Sequence, residues 1–385
     1  MFMRPQKIVT DWLCECGIDV GGNKPHDIRI NDERLFTRVL VHGSLGLGEA
    51  YMDGWWDVPD VGSFIHRLLI GRLDERVWSF RAALAYGSAA VFNLQKGHRA
   101  FRVGQRHYDI GNDLYECMLD RRMIYSCGYW ESAANLDEAQ EAKLRLVFRK
   151  LDLKPGQRVL DIGCGWGGAL QLAAAEYGVE GVGITVSKEQ AAHGGLMCRG
   201  LPVAILLKDY RDLTATFDRI FSIGMFEHVG IKNYRIYMAT VHRSLRPGGR
   251  FLLHTIGSTD DNERGDPWIT KYIFPNSVLP SQTQIVRAAE GLFAIEGWQR
   301  IGAHYVPTLY AWRDNFDRHW PKLRKGRDER FRRMWHYYLG VSAAAFRAAS
   351  ADVWQVLLTP LRGRGGDITS RPRRPPAGRA SSTAR

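Results

Sequence analysis

Arg158-Val-Leu-Asp-Ile162, running directly into Gly163-Cys-Gly-Trp-Gly-Gly168, is the stretch on which the reading of this chain turns. A short apolar run of strand length is followed by glycines that let backbone approach a ligand at the strand's carboxyl end. Working outward, the same rhythm recurs. Runs of strand length stand at Arg158–Gly163, Glu180–Thr185, Val203–Asp209, Asp218–Gly224 and Arg250–Thr255, with helical segments between them. Tyr234, Met238, Val241 and Leu245 fall at i, i+4, i+7 and i+11 and make one apolar helix face. Pro247-Gly-Gly249 then ends that helix before the next strand. Strands alternating with helices predict a parallel sheet covered on both faces, a doubly wound α/β fold.

The rest of the chain bounds the alternatives. Its 385 residues suffice for two domains, and 45% hydrophobic with 24% charged residues excludes a wholly disordered, collagen-like or disulfide-stapled chain. The six cysteines are scattered without a CxxC pair, so no metal site is expected and a reducing cytoplasm is the simpler home. Met1–Asp11 carries polar and charged residues where a signal peptide would be apolar. The uncharged stretch Ala82–Leu94 has 13 residues, short of the roughly 20 a spanning helix needs. Flanked by Arg81, Lys96 and Arg99, it reads equally as a buried or an interfacial helix.

The net charge of +12 is uneven: seven arginines and one aspartate lie in Leu361–Arg385, a Pro-, Gly- and Ser-rich segment expected to be a disordered basic tail over 360–385. Such charge suits anionic lipid, nucleic acid or mere solubility. Residues 1–100 show no strand-helix rhythm and are expected to form a small helical domain. Within it, Gly43-Ser-Leu-Gly-Leu-Gly48 precedes Glu49-Ala-Tyr-Met-Asp-Gly-Trp-Trp56 and is expected to make a tight turn beside an aromatic cluster.

Two details of the glycine loop argue against a dinucleotide. The spacing is G-x-G-x-G, and the second strand is followed by Thr185, Ser187 and Gln190 where a ribose-binding acid would stand. Asp161, two residues before the first glycine, is placed to face a ligand's ammonium group. With Leu245-Arg-Pro-Gly-Gly-Arg-Phe-Leu-Leu253, the pattern resembles a class I S-adenosylmethionine (SAM) methyltransferase.

Further segments narrow the resemblance. His107-Tyr-Asp-Ile-Gly-Asn-Asp113, Tyr125-Ser-Cys-Gly-Tyr-Trp130, Gly224-Met-Phe-Glu-His-Val-Gly230, Leu253-His-Thr-Ile-Gly257, Asp266-Pro-Trp-Ile-Thr-Lys-Tyr-Ile-Phe-Pro275 and His304-Tyr-Val-Pro-Thr-Leu309 occur in one order. From about residue 20 to about residue 357 the chain resembles the cyclopropane-fatty-acyl-phospholipid synthases. That resemblance implies a catalytic domain over 101–359 and a lipid- or membrane-binding domain over 1–100. It also implies methylene transfer from SAM to cis double bonds of phospholipid acyl chains. An isolated double bond is a feeble nucleophile, so it must be aligned with the sulfonium methyl in a dry pocket. Aromatic faces such as Tyr125, Tyr129 and Trp130 suit the resulting cation, and a base must then take a proton from the added methyl.

In that family the base is a bound bicarbonate. The resemblance implies that Cys127, Glu227, His254, Tyr305 and the backbone of Ile256 hold it, with the Glu227 pKa raised. It implies SAM contacts from Tyr125, Ser126, Gly163, Gly165, Thr185, Gln190 and Tyr210, with Asp209 toward the adenine edge. Taken singly, Cys127 is more often a small buried apolar group and His254 a satisfied core histidine, and Tyr305 reads as core packing; only the joint match to the family motifs tips them. Ser342 stands where some family members carry a cysteine near the Tyr-Tyr-Leu segment. The expected home is the cytoplasmic face of the cell membrane, bound peripherally. Family members can be dimeric. A rival product is a methylated or methylenated chain without a ring; nucleic acid, suggested only by the arginine tail, is not an expected partner.

Overall fold

In the computed structural model the described residues are 4–73, 76–77, 111–259, 265–275 and 277–361. The Ala82–Leu94 stretch, His107–Ile110 of the first motif and the basic tail from residue 362 lie outside them. The N-terminal part consists of α1 (Pro5–Glu15), α2 (Arg34–Met52) and α3 (Val61–Ile70), with a small antiparallel pair, β1 (Arg29–Ile30) and β2 (Trp56–Asp57), between them. Pro5 in the first turn starts α1, and the Asp60 side chain caps α3 by accepting from Ser63 N.

The glycine segment expected as a turn is helical. It lies inside α2, which kinks at Gly43 (φ 59°, ψ −136°). Its close approach to aromatic rings explains the composition: a Cβ on Gly48 would come within 2.4 Å of the Trp268 ring. The expected aromatic cluster is present, with Tyr51, Trp56, Phe64, Trp268 and Tyr337 joined by ring contacts.

After α4 (Asn112–Met118) and α5 (Leu136–Leu151), the sheet begins with β3 (Arg158–Ile162). It continues through α6 (Gly168–Tyr177), β4 (Glu180–Thr185), α7 (Lys188–Met197), β5 (Val203–Leu207), β6 (Phe217–Ile223), α8 (Tyr234–Arg243) and β7 (Leu245–Ser258). The final elements are α9 (Pro267–Tyr272), α10 (Gln282–Ala289), β8 (Phe293–Arg300), α11 (Tyr305–Leu323), α12 (Glu329–Arg347) and β9 (Ala351–Pro360). The strand order is β5-β4-β3-β6-β7-β9-β8.

The five strands read from the sequence are parallel, as expected, but β9 lies antiparallel to both β7 and β8. The sheet is therefore mixed. The reason is that α11 and α12 together carry the chain back the way it came, instead of a single crossover helix returning it in parallel. Tyr234, Met238 and Val241 are buried on α8 as predicted, whereas Leu245 already belongs to β7 and pairs with Phe217. The Pro247-Gly-Gly249 segment is an irregularity inside this long strand, marked by a register shift between Phe217 and Arg219.

Helix α5 positions several groups of the site. Asn135 caps it by accepting from Glu138 N, acids occupy its first turn and Arg149 and Lys150 its last. Its inner face carries Gln140 and Lys143 among Ala139, Leu144 and Val147, all buried. The N-terminal helices share one apolar cluster with α4, α11 and α12.

Candidate active site

The site begins where β3 ends. Gly163 N and Cys164 N both donate to Ile184 O at 3.0 Å, which ties the glycine loop to the end of β4. Gly163 (φ 86°) and Gly165 (φ 52°) are left-handed, a conformation that side chains strain. A Cβ at Gly163 would lie 2.7 Å from Met225, while nothing stands within 4 Å of the Cβ position at Gly165. One wall is thus closed and the other open, at the N-terminus of α6, where no side chain caps the helix.

Thr185 and Gln190 meet beside it: the Thr185 hydroxyl donates to Gln190 Oε1 (2.8 Å) and accepts from Ser187 N (3.2 Å). Ser187 caps α7 by accepting from Gln190 N. At the end of β5, Tyr210 packs edge-on against Tyr237, with ring centroids 5.1 Å apart. Asp209 commits its carboxylate to its own turn, accepting from Arg211 Nε (2.9 Å), Nη2 (2.7 Å) and the backbone N–H (2.9 Å). The Arg211 guanidinium holds that carboxyl below its usual range.

Asp161 points into the interior. It is 2% exposed, one carboxylate oxygen has no partner, and burial pushes its pKa up to about 8 against the opposing charge of Lys143. Lys143 is fully buried and donates from Nζ to Ser126 Oγ at 2.7 Å. Burial brings its pKa down to about 8, opposed by Asp120, Cys127 and Asp161. Gln140 Nε2 donates to Ser126 O (2.7 Å), so two side chains of α5 clamp the Tyr125–Cys127 segment. Tyr125 itself lies against Tyr115 and Trp312, and its hydroxyl meets that of Tyr338 at 2.7 Å.

Cys127, Glu227, His254 and Tyr305, expected at the base site, are all buried. Burial raises the Cys127 thiol well above its usual range, and it donates to Gly128 O (3.2 Å) and Ile301 O (3.8 Å). Tyr305, the first residue of α11, stacks on Phe346 with ring centroids 4.5 Å apart. Burial keeps its hydroxyl protonated, and Tyr338, Cys127 and Glu227 are near enough to reinforce this. Glu227 sits in a 3-10 turn, Phe226–His228. Its Oε1 accepts from Ile256 N at 2.6 Å, and the neighbouring Thr255 side chain also favours its ionised form. Burial raises its pKa to about 6, the expected direction. His254, on β7, is 2% exposed and stays neutral through burial and the nearby cations Lys143 and Lys150.

Tyr305 lies near both Cys127 and Glu227. A protonated thiol, a protonated phenol and a neutral imidazole each carry one donor of the kind that suits a small oxyanion, whereas an ionised Glu227 would repel one. The Ile256 N–H, however, is already taken by Glu227. Of the three aromatics expected around the cation, only Tyr125 lies among the site rings. Tyr129 packs on His304 (4.6 Å between centroids), and Trp130 Nε1 donates to Thr308 Oγ1 (2.8 Å). Trp312 and Tyr338 supply the aromatic wall instead. Lys143 and Gln140 were also missed by sequence reasoning, although polar residues on the apolar face of α5 are a signal for them. Ser342 lies half-buried on α12.

A glycine loop at the carboxyl end of β3, open at the start of α6 on a sheet with a reversed β9, defines a class I SAM-dependent methyltransferase. The family model for mycolic acid cyclopropane synthetase matches residues 95–356, and the chain belongs to that family. It is 50% identical over 354 residues to the cyclopropane-fatty-acyl-phospholipid synthase of Escherichia coli K12, covering 92% of this chain and 93% of that one. A sphingolipid C9-methyltransferase of Emericella nidulans is 34% identical over 66% of this chain and 52% of its own. A cyclopropane synthase from Mycobacterium tuberculosis superposes with a TM-score of 0.62 at 34% identity, covering 66% of this chain and 96% of that one. A mycolic acid cyclopropane synthase complexed with SAH and CTAB gives the same figures.

Proposed function

We propose that the protein transfers a methylene from SAM to cis double bonds of unsaturated phospholipid acyl chains, with bicarbonate as the base. What supports the base assignment is the buried Glu227 carboxyl near Tyr305, which is itself near Cys127, with burial keeping both the phenol and the thiol protonated. When bound, SAM supplies an electrophilic sulfonium methyl and bicarbonate a proton acceptor. The residues do the remainder. The glycine loop, Thr185 and Gln190 orient the methyl donor, and Lys143 holds the Ser126 segment in place. Tyr125, Trp312 and Tyr338 exclude water from the acyl chain and present π faces to the positive charge that develops on it. Cys127, Tyr305, His254 and Glu227 would hold the oxyanion, which would accept a proton from the added methyl group. A proton leaves that methyl as the second carbon–carbon bond closes, so the alkene gains one CH2 and a proton is released.

Among the described residues no helix is long and apolar enough to cross a membrane. The reading therefore has the lipid reached from the bilayer surface, at the inner face of the cell membrane, with residues 1–100 as the lipid-facing domain. Members of the family can be dimeric, and sedimentation velocity would check whether this chain is. The experiment is incubation with SAM and vesicles of unsaturated phosphatidylglycerol, with and without bicarbonate. Products are read by gas chromatography and ring-specific NMR. A cyclopropane product that needs bicarbonate and falls at least about 100-fold in Glu227→Gln and about 10-fold in Cys127→Ser is expected. Methylated or methylenated chains would move the protein to the ring-free reaction, and vesicles left unmodified would overturn the lipid reading.

A further inference from the structure

We propose that Gln355 is a positioning residue that sets the tautomer of His254, and that Lys150 sets the orientation of Gln355. The proposal rests on the reading that His254 donates to an oxyanion at the base site. His254 on β7 and Gln355 on β9 are direct partners in the antiparallel ladder and are both almost wholly buried. Lys150 Nζ, from the last turn of α5, lies 2.6 Å from Gln355 Oε1. The amide nitrogen of Gln355 lies 3.2 Å from His254 Nδ1.

The direction of this hydrogen-bond chain is set by what each group is able to do. An ammonium only donates, so the Gln355 atom it meets is the carbonyl oxygen, and the amide must offer an N–H to the imidazole. That N–H needs a lone pair on Nδ1. The ring proton therefore sits on Nε2, on the side of the ring away from Gln355. An imidazolium would set two donors against each other, and burial with Lys143 and Lys150 nearby disfavours it further. Three elements of the fold, α5, β7 and β9, thus combine so that the one N–H of His254 is directed away from β9. A Gln355 amide turned the other way would reverse that assignment and leave a lone pair facing an anion. The orientation of the amide is consequently a determinant of turnover and not of packing alone.

The test reads the tautomer directly in full-length protein labelled with 15N-histidine, by long-range 1H–15N spectra, with His254 identified by its loss in His254→Gln. Wild type is expected to show an unprotonated Nδ1 and a protonated Nε2. Lys150→Met frees the amide to turn, so a mixed or Nδ1-protonated ring is expected, with kcat down about 10-fold and KM for SAM within about twofold. Lys150→Arg keeps a donor and is expected to restore both. Gln355→Glu puts an acceptor against Nδ1 and is expected to lower kcat at least about 100-fold, as a wrong tautomer does elsewhere. A wild-type ring protonated on Nδ1 overturns the proposal, as does Lys150→Met with unchanged tautomer and kcat. The Nε2-protonated form in an enzyme indifferent to bicarbonate upholds the proposal and removes the oxyanion reading beneath it.

Discussion

The two ends of the active site are built in opposite ways. The end proposed to hold SAM is made mainly of backbone: two left-handed glycines, amides bonded to Ile184 O, and backbone N–H groups capped by the Ser187 and Asp209 side chains. The end proposed to hold the base is made of side chains drawn from a 3-10 turn, β7, α11 and the loop before α5, most of them sealed from water. A backbone site tolerates changes of side chain but not of conformation. A side-chain site tolerates neither charge nor solvent, because burial is the largest influence on the protonation of Cys127, Glu227, His254 and Tyr305.

That contrast is open to direct attack. Gly163→Val is expected to have the largest effect, since a β-branched residue must adopt φ 86° with its Cβ 2.7 Å from Met225. Backbone strain of about 3 kcal/mol is expected to weaken SAM binding about 100-fold by calorimetry, with the buried carboxyl and thiol unaffected. An unchanged SAM affinity would deny that the loop's conformation is the binding element.

Glu227 gives the middle effect. Its pKa is about 6 in the folded protein against an ordinary 4.5, so folding favours the protonated form. The associated stability is fully present below pH 4.5 and is lost as pH rises through about 6. The difference amounts to about 2 kcal/mol between those limits. Denaturant titrations of wild type and Glu227→Gln between pH 4.5 and 7.5 should diverge by that amount, and parallel curves would mean the carboxyl is better solvated than its burial indicates.

Asp209→Ala should do least. Its carboxylate is satisfied by Arg211 in an exposed turn, so SAM affinity is expected to change by less than about threefold and stability by less than about 1 kcal/mol. A larger loss of SAM affinity would show that this carboxylate leaves Arg211 for the ligand.

The same contrast explains what was legible in the sequence. β3, the glycine loop and the five parallel strands depend on residues close together, so their pattern reveals them. The base site depends on residues as far apart as Cys127 and Tyr305, and no local period joins them; only the ordered family motifs did. Lys143, Gln355 and Lys150 escaped because a buried polar side chain reads as an ordinary surface residue until its partner is known. The glycines of α2 misled for a related reason: their use is the distant Trp268 ring, and turn chemistry is merely the commoner explanation for glycine.

The placement of β9 between β7 and β8 has a consequence in time. β8 pairs only with β9, and β7 needs it to cover its far edge. During synthesis the chain must therefore carry two exposed strand edges until the segment Ala351–Pro360 has been made. At ribosomal rates the stretch between β7 and β9 takes roughly 5–20 s to make, a window in which those edges are open to pairing with other nascent chains. Gln355 arrives in that same last strand, so the enzyme gains its closed sheet and its correctly protonated histidine in one event.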